Sequence, residues 1–507
     1  MLSSLRSQGA SADAILDPPD RAVDPPDRAR GGSGRLLVLY GRLLGPLLAG
    51  YLLFDKAFAY LHLPGTPLYV GEMVLVVGVL GTLAATGYLR IAIRDEPILA
   101  LLAAYFLWGL FRFLPGYRTY GVEAVRDFAL VYYCLFAFLT AAALARSPDI
   151  LERLLVQLGR FVPWLLIWLP FSLVLQSMHA PHVPFTSISV LTHKNGDVAI
   201  AAILALGFLW LFPGARSARS RAVWSIVGLL TIALVTTQNR GGLLAAAAGA
   251  AVGLAFYQDR LRLIMRAVAV IALGLTVATG LSLKVPKPGA QGRAYSASQL
   301  FANVASIGGA KEAGNLSGTV QGRDVLWTRI YQKQVADSLL IRGNGFGMNL
   351  ATEVGVYDAG TDNLRSPHNS HLDILARMVV VGISLWIALW LAWYWRLVAG
   401  CRRLARRGLY ARRQVAVLCL MVNSATLVSS FFDPQLEGAQ AAALLWIAFG
   451  VGVAVTSFRG WFGDRDLHLG PAGSPTWSSK KVPTTPGGRG LARSYTLTRW
   501  VKSASEP

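Results

Sequence analysis

The sequence contains few charged residues for its length. Asp, Glu, Lys and Arg make up 15% of its 507 residues, while hydrophobic residues make up 54%. Because soluble domains carry about 25% charged residues, this composition excludes an ordinary soluble protein and indicates a polytopic membrane protein. Only helices satisfy their own backbone hydrogen bonds in lipid without closing into a barrel. The predicted fold class is therefore all-α.

Cysteine and targeting signals are also scarce. Cys134, Cys401 and Cys419 are the three cysteines, and none has Cys-x-x-Cys spacing. The three cysteines therefore indicate neither a disulfide framework nor a cysteine-based zinc site. Residues 1–35 are polar and no small-residue cleavage site follows the first apolar run. We therefore expect no signal peptide, and we expect the first run to stay as an anchor.

Acidic residues are outnumbered by basic ones, 27 to 48, which gives a formal charge of +21. In a soluble chain such a charge would favour nucleic-acid binding. Here Lys and Arg fall in the tails and the short loops between apolar runs, a pattern that sets membrane orientation. We therefore expect membrane lipids as partners and no nucleic acid.

Apolar runs of spanning length fill most of the chain. A bilayer core of about 30 Å needs about 20 helical residues, and about twelve runs approach this length. They lie at 36–54, 69–89, 98–113, 128–145, 161–175, 197–212, 222–236, 241–257, 267–283, 372–395, 415–430 and 439–455. The alternation of basic loops places both termini in the cytoplasm. A multi-pass protein of the plasma membrane is thus predicted.

The same alternation divides the chain into five parts. They are a disordered cytoplasmic N-terminus (1–35), nine spans (36–283), a large extracytoplasmic loop (284–371), three spans (372–457) and a disordered cytoplasmic tail (458–507). Polar loops longer than about 15 residues are usually functional or disordered. We therefore expect the chemistry in the large loop.

His368 is the strongest candidate for catalysis. It lies at the mouth of the tenth span and is followed by Asn369 and His371. An imidazole can accept a hydroxyl proton near neutral pH, as a general base must. Metal binding by His368 and His371 is the competing use, but no His-Glu-x-x-His pattern supports it. Asp373 is explained by an ion pair with Arg377 one turn later.

Three further motifs are suited to binding an anion. Arg240 begins a helix in a tight Arg-Gly-Gly turn, where free N–H groups and a guanidinium suit phosphate oxygens; an interfacial arginine is the simpler alternative. Arg323 begins an amphipathic segment, 322–331, that could lie on the bilayer surface. Gly343, Gly345 and Gly347 form a turn able to direct backbone amides at an anion.

Taken in order, these motifs resemble the O-antigen ligase and O-antigen polymerase superfamily of bacterial membrane glycosyltransferases. The resemblance covers most of the spans loosely. Its specific part is the Arg-Gly-Gly turn at Arg240, Gly322-Arg323 with Trp327, the three-glycine turn, and Pro367-His368-Asn369-Ser370 opening a span. It implies about twelve helices around one large loop, similar to the GT-C architecture of membrane glycosyltransferases.

The resemblance also implies an activity. Members transfer a glycan from an undecaprenyl-diphosphate carrier to an acceptor hydroxyl on the outer face of the plasma membrane, without metal or other cofactor. By position, Arg240 and Arg323 would bind the diphosphate and His368 would activate the acceptor. Asp433 matches an acidic residue that the family places near the histidine. This chain departs from the family at two positions. It has Val379 where the family usually has glycine, and Asn239 where the family usually has serine.

Several alternatives remain open. The sequence does not separate a ligase that moves finished glycan to a glycan or lipid acceptor from a polymerase that extends glycan on its own carrier, or from an enzyme that glycosylates proteins. A polysaccharide exporter is the rival from another class, because twelve spans with both termini inside is a common transporter layout. Exporters should show repeat symmetry around a midplane site, and no such repeat is evident here.

Overall fold

The apolar runs form helices in the computed structural model of the protein. It describes residues 34–66, 68–175, 181–184, 186, 188–213, 216–258, 269, 284–285, 295–307, 317–355, 365–457, 461–462, 466–469 and 475–478. Eleven of the predicted runs coincide with helices, and the run at 267–283 lies outside the described residues apart from 269. The prediction of an all-α membrane protein is confirmed at this level.

Within the described residues, ten helices precede the segment that was predicted to be the large loop. They are α1 (Arg35–Ala59), α2 (Val70–Ala84), α3 (Thr86–Asp95), α4 (Pro97–Tyr120), α5 (Val122–Tyr132), α6 (Leu135–Arg146), α7 (Asp149–Leu175), α8 (Asn195–Leu211), α9 (Ala218–Gln238) and α10 (Arg240–Phe256). Two predicted spans are broken, since α2 and α3 meet at 90° and α5 and α6 at 47°.

The remaining described elements are two pairs of short strands, three short helices and four long helices. They are β1 (Lys284–Val285), β2 (Tyr295–Ser296), α11 (Ala297–Ile307), α12 (Ser317–Ala336), α13 (Leu339–Arg342), α14 (Leu350–Glu353), α15 (Ser370–Arg406), α16 (Tyr410–Ser429), α17 (Ala439–Val455), β3 (Asp466–Leu469) and β4 (Pro475–Ser478). β1 pairs antiparallel with β2, and β3 with β4. The β3–β4 pair lies in the tail whose composition predicted disorder; the predicted N-terminal disorder falls outside the described residues, except for residues 34 and 35.

Length and apolarity limit which helices can cross a membrane. Within the described residues five helices qualify, or seven if each bent pair counts as one span. Three shorter apolar helices are α8, α10 and α17. The count of about twelve spans stays a prediction, as does the placement of the large loop outside.

Small residues allow the central helices to pack closely. α10 packs against α8 and α16, and α17 packs against α6 and α16. A Cβ atom added at Gly249 of α10 would lie 2.7 Å from Ile203 Cγ2 and 2.9 Å from the Met421 carbonyl oxygen. Such an approach of backbones is typical of helix association in lipid, where small residues line the contact. It fixes the start of α10 next to the end of α16.

Candidate functional site

His368 is held in a strained backbone conformation between two fixed neighbours. Its φ is 51°, a left-handed value that is uncommon outside glycine. Before it, the Trp327 indole N–H donates to the Pro367 carbonyl at 2.7 Å. After it, Asn369 caps α15, because its Oδ1 accepts from the first backbone N–H groups of that helix at 3.0 and 3.1 Å. Residues kept in such conformations cluster at functional sites.

The His368 ring has an imidazole nitrogen available. Its Nδ1 is buried and has no hydrogen-bond partner among the described residues. Burial, together with the positive charges of Arg323, Lys194 and Lys56, lowers the pKa of His368 to about 4. The imidazole is therefore neutral at pH 7 and can accept a proton.

Asp433 links two of the predicted residues. It lies in the turn between α16 and α17, and its Oδ1 is 3.8 Å from Arg323 Nη2. Its Oδ2 accepts from the Asn239 amide at 3.3 Å. Arg240 follows Asn239 directly as the first residue of α10. The structure thus brings Arg323, Asp433 and the start of α10 to one place.

The Asn239 side chain makes two hydrogen bonds at this position. Its Oδ1 accepts from the Gly242 N–H at 3.2 Å and so caps α10, which a serine could also do. Its amide also donates to Asp433. Burial raises the pKa of Asp433, and the Arg323 cation opposes this. Asparagine in place of serine at position 239 therefore adds a hydrogen bond to Asp433.

The turn 430–438 contacts several helices at this end of the bundle. Ser370, the first residue of α15, donates its N–H to the Ser430 carbonyl at 2.9 Å and accepts from the Leu436 N–H at 3.3 Å. A Cβ atom at Gly196 of α8 would lie 2.6 Å from Gln435 Nε2. One turn therefore positions α8, α10, α12 and α15 relative to each other.

His371 is fixed as a neutral ring in the packing of α15. Its Nδ1 accepts from the Trp386 indole N–H at 3.1 Å, so its Nε2 carries the proton and donates to the Leu427 carbonyl at 3.1 Å. Both nitrogens are thus engaged. In the part of the chain that the structure describes, no group of three His, Cys, Asp or Glu residues is arranged to hold a metal ion.

The three-glycine turn forms a separate group. Gly343, Gly345 and Gly347 all have positive φ, which explains the residue type. The Gly347 N–H donates to Asp127 Oδ2 at 2.9 Å, and Arg377 Nη1 lies 2.8 Å from the same carboxylate oxygen. The structure therefore places the turn against buried ion pairs. The predicted pair of Asp373 with Arg377 is confirmed, with Nε donating to Oδ1 at 2.9 Å.

The predicted amphipathic helix is also present, as part of α12. Leu326 and Ile330 are buried against Leu350 and Ala376, while Tyr331 is half exposed. The apolar face thus packs on the protein, where the sequence suggested the bilayer surface. This packing holds Arg323 over the turn that carries Asp433.

Sequence reasoning missed a group of charged residues beside the site. The Lys194 N–H donates to Asp55 Oδ2 at 2.6 Å, and Asp55 lies in α1 at a φ of 44°. His193 Nε2 is 2.8 Å from the Leu53 carbonyl oxygen. Burial lowers the pKa of His193. The sequence did contain a signal for this group, because charged residues at the ends of apolar runs are costly and usually functional.

Two cavities adjoin this charged group. One, of about 20 Å³, is lined by Tyr51, Asp55, His193, Asp197, Gln440 and apolar side chains. The other, of about 490 Å³, has a mostly apolar lining. Leu48 and Leu444 line both. The larger apolar cavity therefore lies next to the small one that the charged residues line.

Comparison with known proteins adds no family to these observations. Neither the family models nor the curated proteins compared with the chain give a match.

Proposed function

We propose that this protein is an O-antigen ligase-like membrane glycosyltransferase that acts in cell-surface polysaccharide assembly. It would move a glycan from an undecaprenyl-diphosphate carrier to an acceptor hydroxyl on the outer face of the plasma membrane. The observation that carries the proposal is the buried, unpaired Nδ1 of His368 within the electrostatic field of Arg323. A neutral base beside a cation suits the attack of a hydroxyl on a sugar diphosphate.

The reaction follows from these charges. The acceptor oxygen forms a bond to the anomeric carbon as the bond from that carbon to the phosphate oxygen breaks. His368 takes the hydroxyl proton, and the diphosphate leaves with the bonding electrons. Arg323 and Arg240 stabilise the negative charge that develops on the leaving group.

Donor binding would also strengthen the base. The cations near His368 lower its pKa in the free protein, and a general base is most effective when its pKa is near the working pH. A diphosphate placed beside Arg323 offsets those positive charges and raises the pKa of His368. His368 would therefore become a competent base when donor is present.

Substitution tests the assigned roles. Arg240→Ala, Arg323→Ala and His368→Ala should each lower transfer at least about a hundredfold, as expected for charge stabilisation and acid–base catalysis. Arg329→Ala is the matched control, because this exposed arginine of α12 donates to the Gly355 carbonyl. Thermal unfolding of each variant in detergent reports folding. Near-normal transfer in a folded variant removes that residue from the mechanism.

The activity itself is tested in liposomes. Purified protein is given undecaprenyl-diphosphate oligosaccharide with candidate acceptors, and released undecaprenyl diphosphate is followed by mass spectrometry. Release that requires acceptor and disappears in His368→Ala supports the proposal, and product size separates ligase from polymerase. Intact donor together with movement of labelled glycan across the bilayer would instead establish an exporter.

A further inference from the structure

The larger cavity, of about 490 Å³, reaches into the helix bundle. Its lining comes from α1, α7, α16 and α17, with Leu204 from α8. Many of the lining side chains are buried in the protein, among them Val415, Val422 and Ile447. The cavity therefore separates helices from the two ends of the chain that would otherwise pack directly on each other.

A cavity of this size and lining calls for an apolar occupant. Protein interiors hold few voids larger than a water molecule, and an apolar cavity of about 150 Å³ is already large enough to bind benzene. No Asp or Glu is among the described residues that line this cavity, and water needs two to four polar partners. In a membrane protein the apolar molecule at hand is a lipid chain.

The length of the cavity matches one leaflet of a bilayer. Along α7 the lining runs from Leu151 to Trp164, and along α17 it runs from Leu444 to Val451. At about 1.5 Å per residue, these stretches are about 20 Å and about 10 Å long. One leaflet contributes about 15 Å, half of a hydrocarbon core of about 30 Å. This length suits one acyl chain of a phospholipid, whereas an undecaprenyl chain is much longer.

The cavity opens beside two arginines. Arg160 and Trp164, one turn apart on α7, both line the cavity and are both exposed. Arg216 lies next to them, because its Nη2 donates to the Gly159 carbonyl at 2.8 Å. From there the 21 residues of α9 lead to the turn of Arg240, a distance of about 30 Å. The opening is therefore at the opposite end of the bundle from the candidate site.

We propose that this cavity binds one acyl chain of an anionic phospholipid, whose phosphate lies at Arg160 and Arg216. Basic pockets between helices on the cytoplasmic side bind anionic head groups, and the sequence predicts that this end is cytoplasmic. Trp164 suits the level at which hydrocarbon meets head groups. The inference does not rest on the proposed function, because this lipid lies in the leaflet opposite to the proposed reaction.

Native mass spectrometry in detergent measures the charge preference. Dioleoyl-phosphatidylglycerol and dioleoyl-phosphatidylcholine have the same chains, and only the first is anionic. Wild-type protein should bind one phosphatidylglycerol about tenfold more tightly than phosphatidylcholine, as expected for two basic residues at the head group. Arg160→Gln should weaken phosphatidylglycerol binding about fivefold. Arg153→Gln is the matched control, because this arginine of α7 is exposed and lies outside the lining.

A second set of variants tests the cavity itself. Ala49→Phe adds bulk from α1 inside the cavity and should abolish the tight phosphatidylglycerol site. Ala104→Phe is the matched control, because Ala104 is exposed on α4 outside the lining. Thermal unfolding in detergent reports folding, and phosphatidylglycerol should raise the melting temperature of wild-type protein but not of Ala49→Phe. If Ala49→Phe fails to fold, Ala448→Leu applies the same test from α17 with less added volume.

Three results would overturn the inference. The first is phosphatidylglycerol affinity in the folded cavity variant within about threefold of wild type, because the lipid would then be bound elsewhere. The second is equal affinity of wild-type protein for the two phospholipids. The third is displacement of phosphatidylglycerol by undecaprenyl diphosphate, which would assign the cavity to the glycan carrier. Wild-type protein that binds phosphatidylglycerol as expected but transfers no glycan would reject the proposed function and leave this inference standing.

Discussion

At the scale of single residues, His368 combines a strained backbone with a ring nitrogen that has no hydrogen-bond partner among the described residues. The strain, on the order of 1–3 kcal/mol, persists because Trp327 and Asn369 fix the chain on either side. The backbone is thereby kept in place, although no residue in the described part of the chain makes a hydrogen bond to Nδ1 of the ring. In the proposed reaction, this nitrogen would accept the proton of the acceptor hydroxyl.

This arrangement predicts how His368 titrates. Its pKa is lowered from 6.5 to about 4, by burial first and then by Arg323. Arg323→Gln removes a cation and should raise that pKa, as measured by NMR of isotope-labelled histidine in micelles, with His368→Gln identifying the signal. Arg329→Gln is the control and should leave the pKa unchanged. An unchanged pKa in Arg323→Gln would remove Arg323 from the surroundings of His368.

The same shift has a consequence for stability. Because the folded-state pKa lies below the unfolded value, the unfolded chain takes up a proton first as the pH falls. His368 therefore lowers the free energy of unfolding progressively between about pH 6.5 and pH 4.

At the scale of elements, α15 contains a break at Val379, where the superfamily that the sequence resembles usually has glycine. Val379 has φ 61° and ψ −173°, a region occupied almost only by glycine. The Trp108 indole N–H donates to the Met378 carbonyl at 2.8 Å, and the Asn344 N–H donates to the Ala376 carbonyl at 3.0 Å. Groups from outside the helix thus satisfy backbone oxygens at the break.

The break in α15 predicts that a glycine substitution at Val379 destabilises the protein unusually little. Val379→Gly loses packing but relieves strain, whereas Val417→Gly in the regular helix α16 only loses packing and helix propensity; both valines are buried. We expect Val379→Gly to be less destabilising than Val417→Gly by about 1–3 kcal/mol. Thermal unfolding in detergent measures the difference. Equal or greater destabilisation at Val379 would mean that the side chain is not strained.

At the scale of the whole molecule, orientation in the membrane is the prediction with the widest reach. All three native cysteines are buried, so a single added cysteine can be labelled against a low background. Thr328→Cys in α12 and Arg407→Cys after α15 are at exposed positions. In intact cells a membrane-impermeant maleimide should label Thr328→Cys only, and Arg407→Cys should react after the cells are opened. The reverse pattern would place the site inside the cell.

The sequence predicted the helices better than it predicted the tertiary contacts between them. Apolar runs identified the helices because length and apolarity are local properties, and the family motifs singled out Arg240, Arg323, His368 and Asp433. Hydropathy could not show the 90° bend between α2 and α3, since both arms are helical. Nor could it show that α12 packs on α15, or that Lys194 lies beside the turn of Asp433, because these contacts join distant parts of the chain.

Because Asn239 contacts Asp433, the site can form only after residue 433 has been translated. The two residues are 194 positions apart, so at about 5–20 residues per second the ribosome needs roughly 10–40 s to reach the second after the first. Throughout that interval Arg240 and Lys194 have been synthesised, but the turn that completes their surroundings has not. A chain that stalls before residue 433 therefore lacks the proposed site, and only molecules whose translation is nearly finished could carry out the proposed reaction.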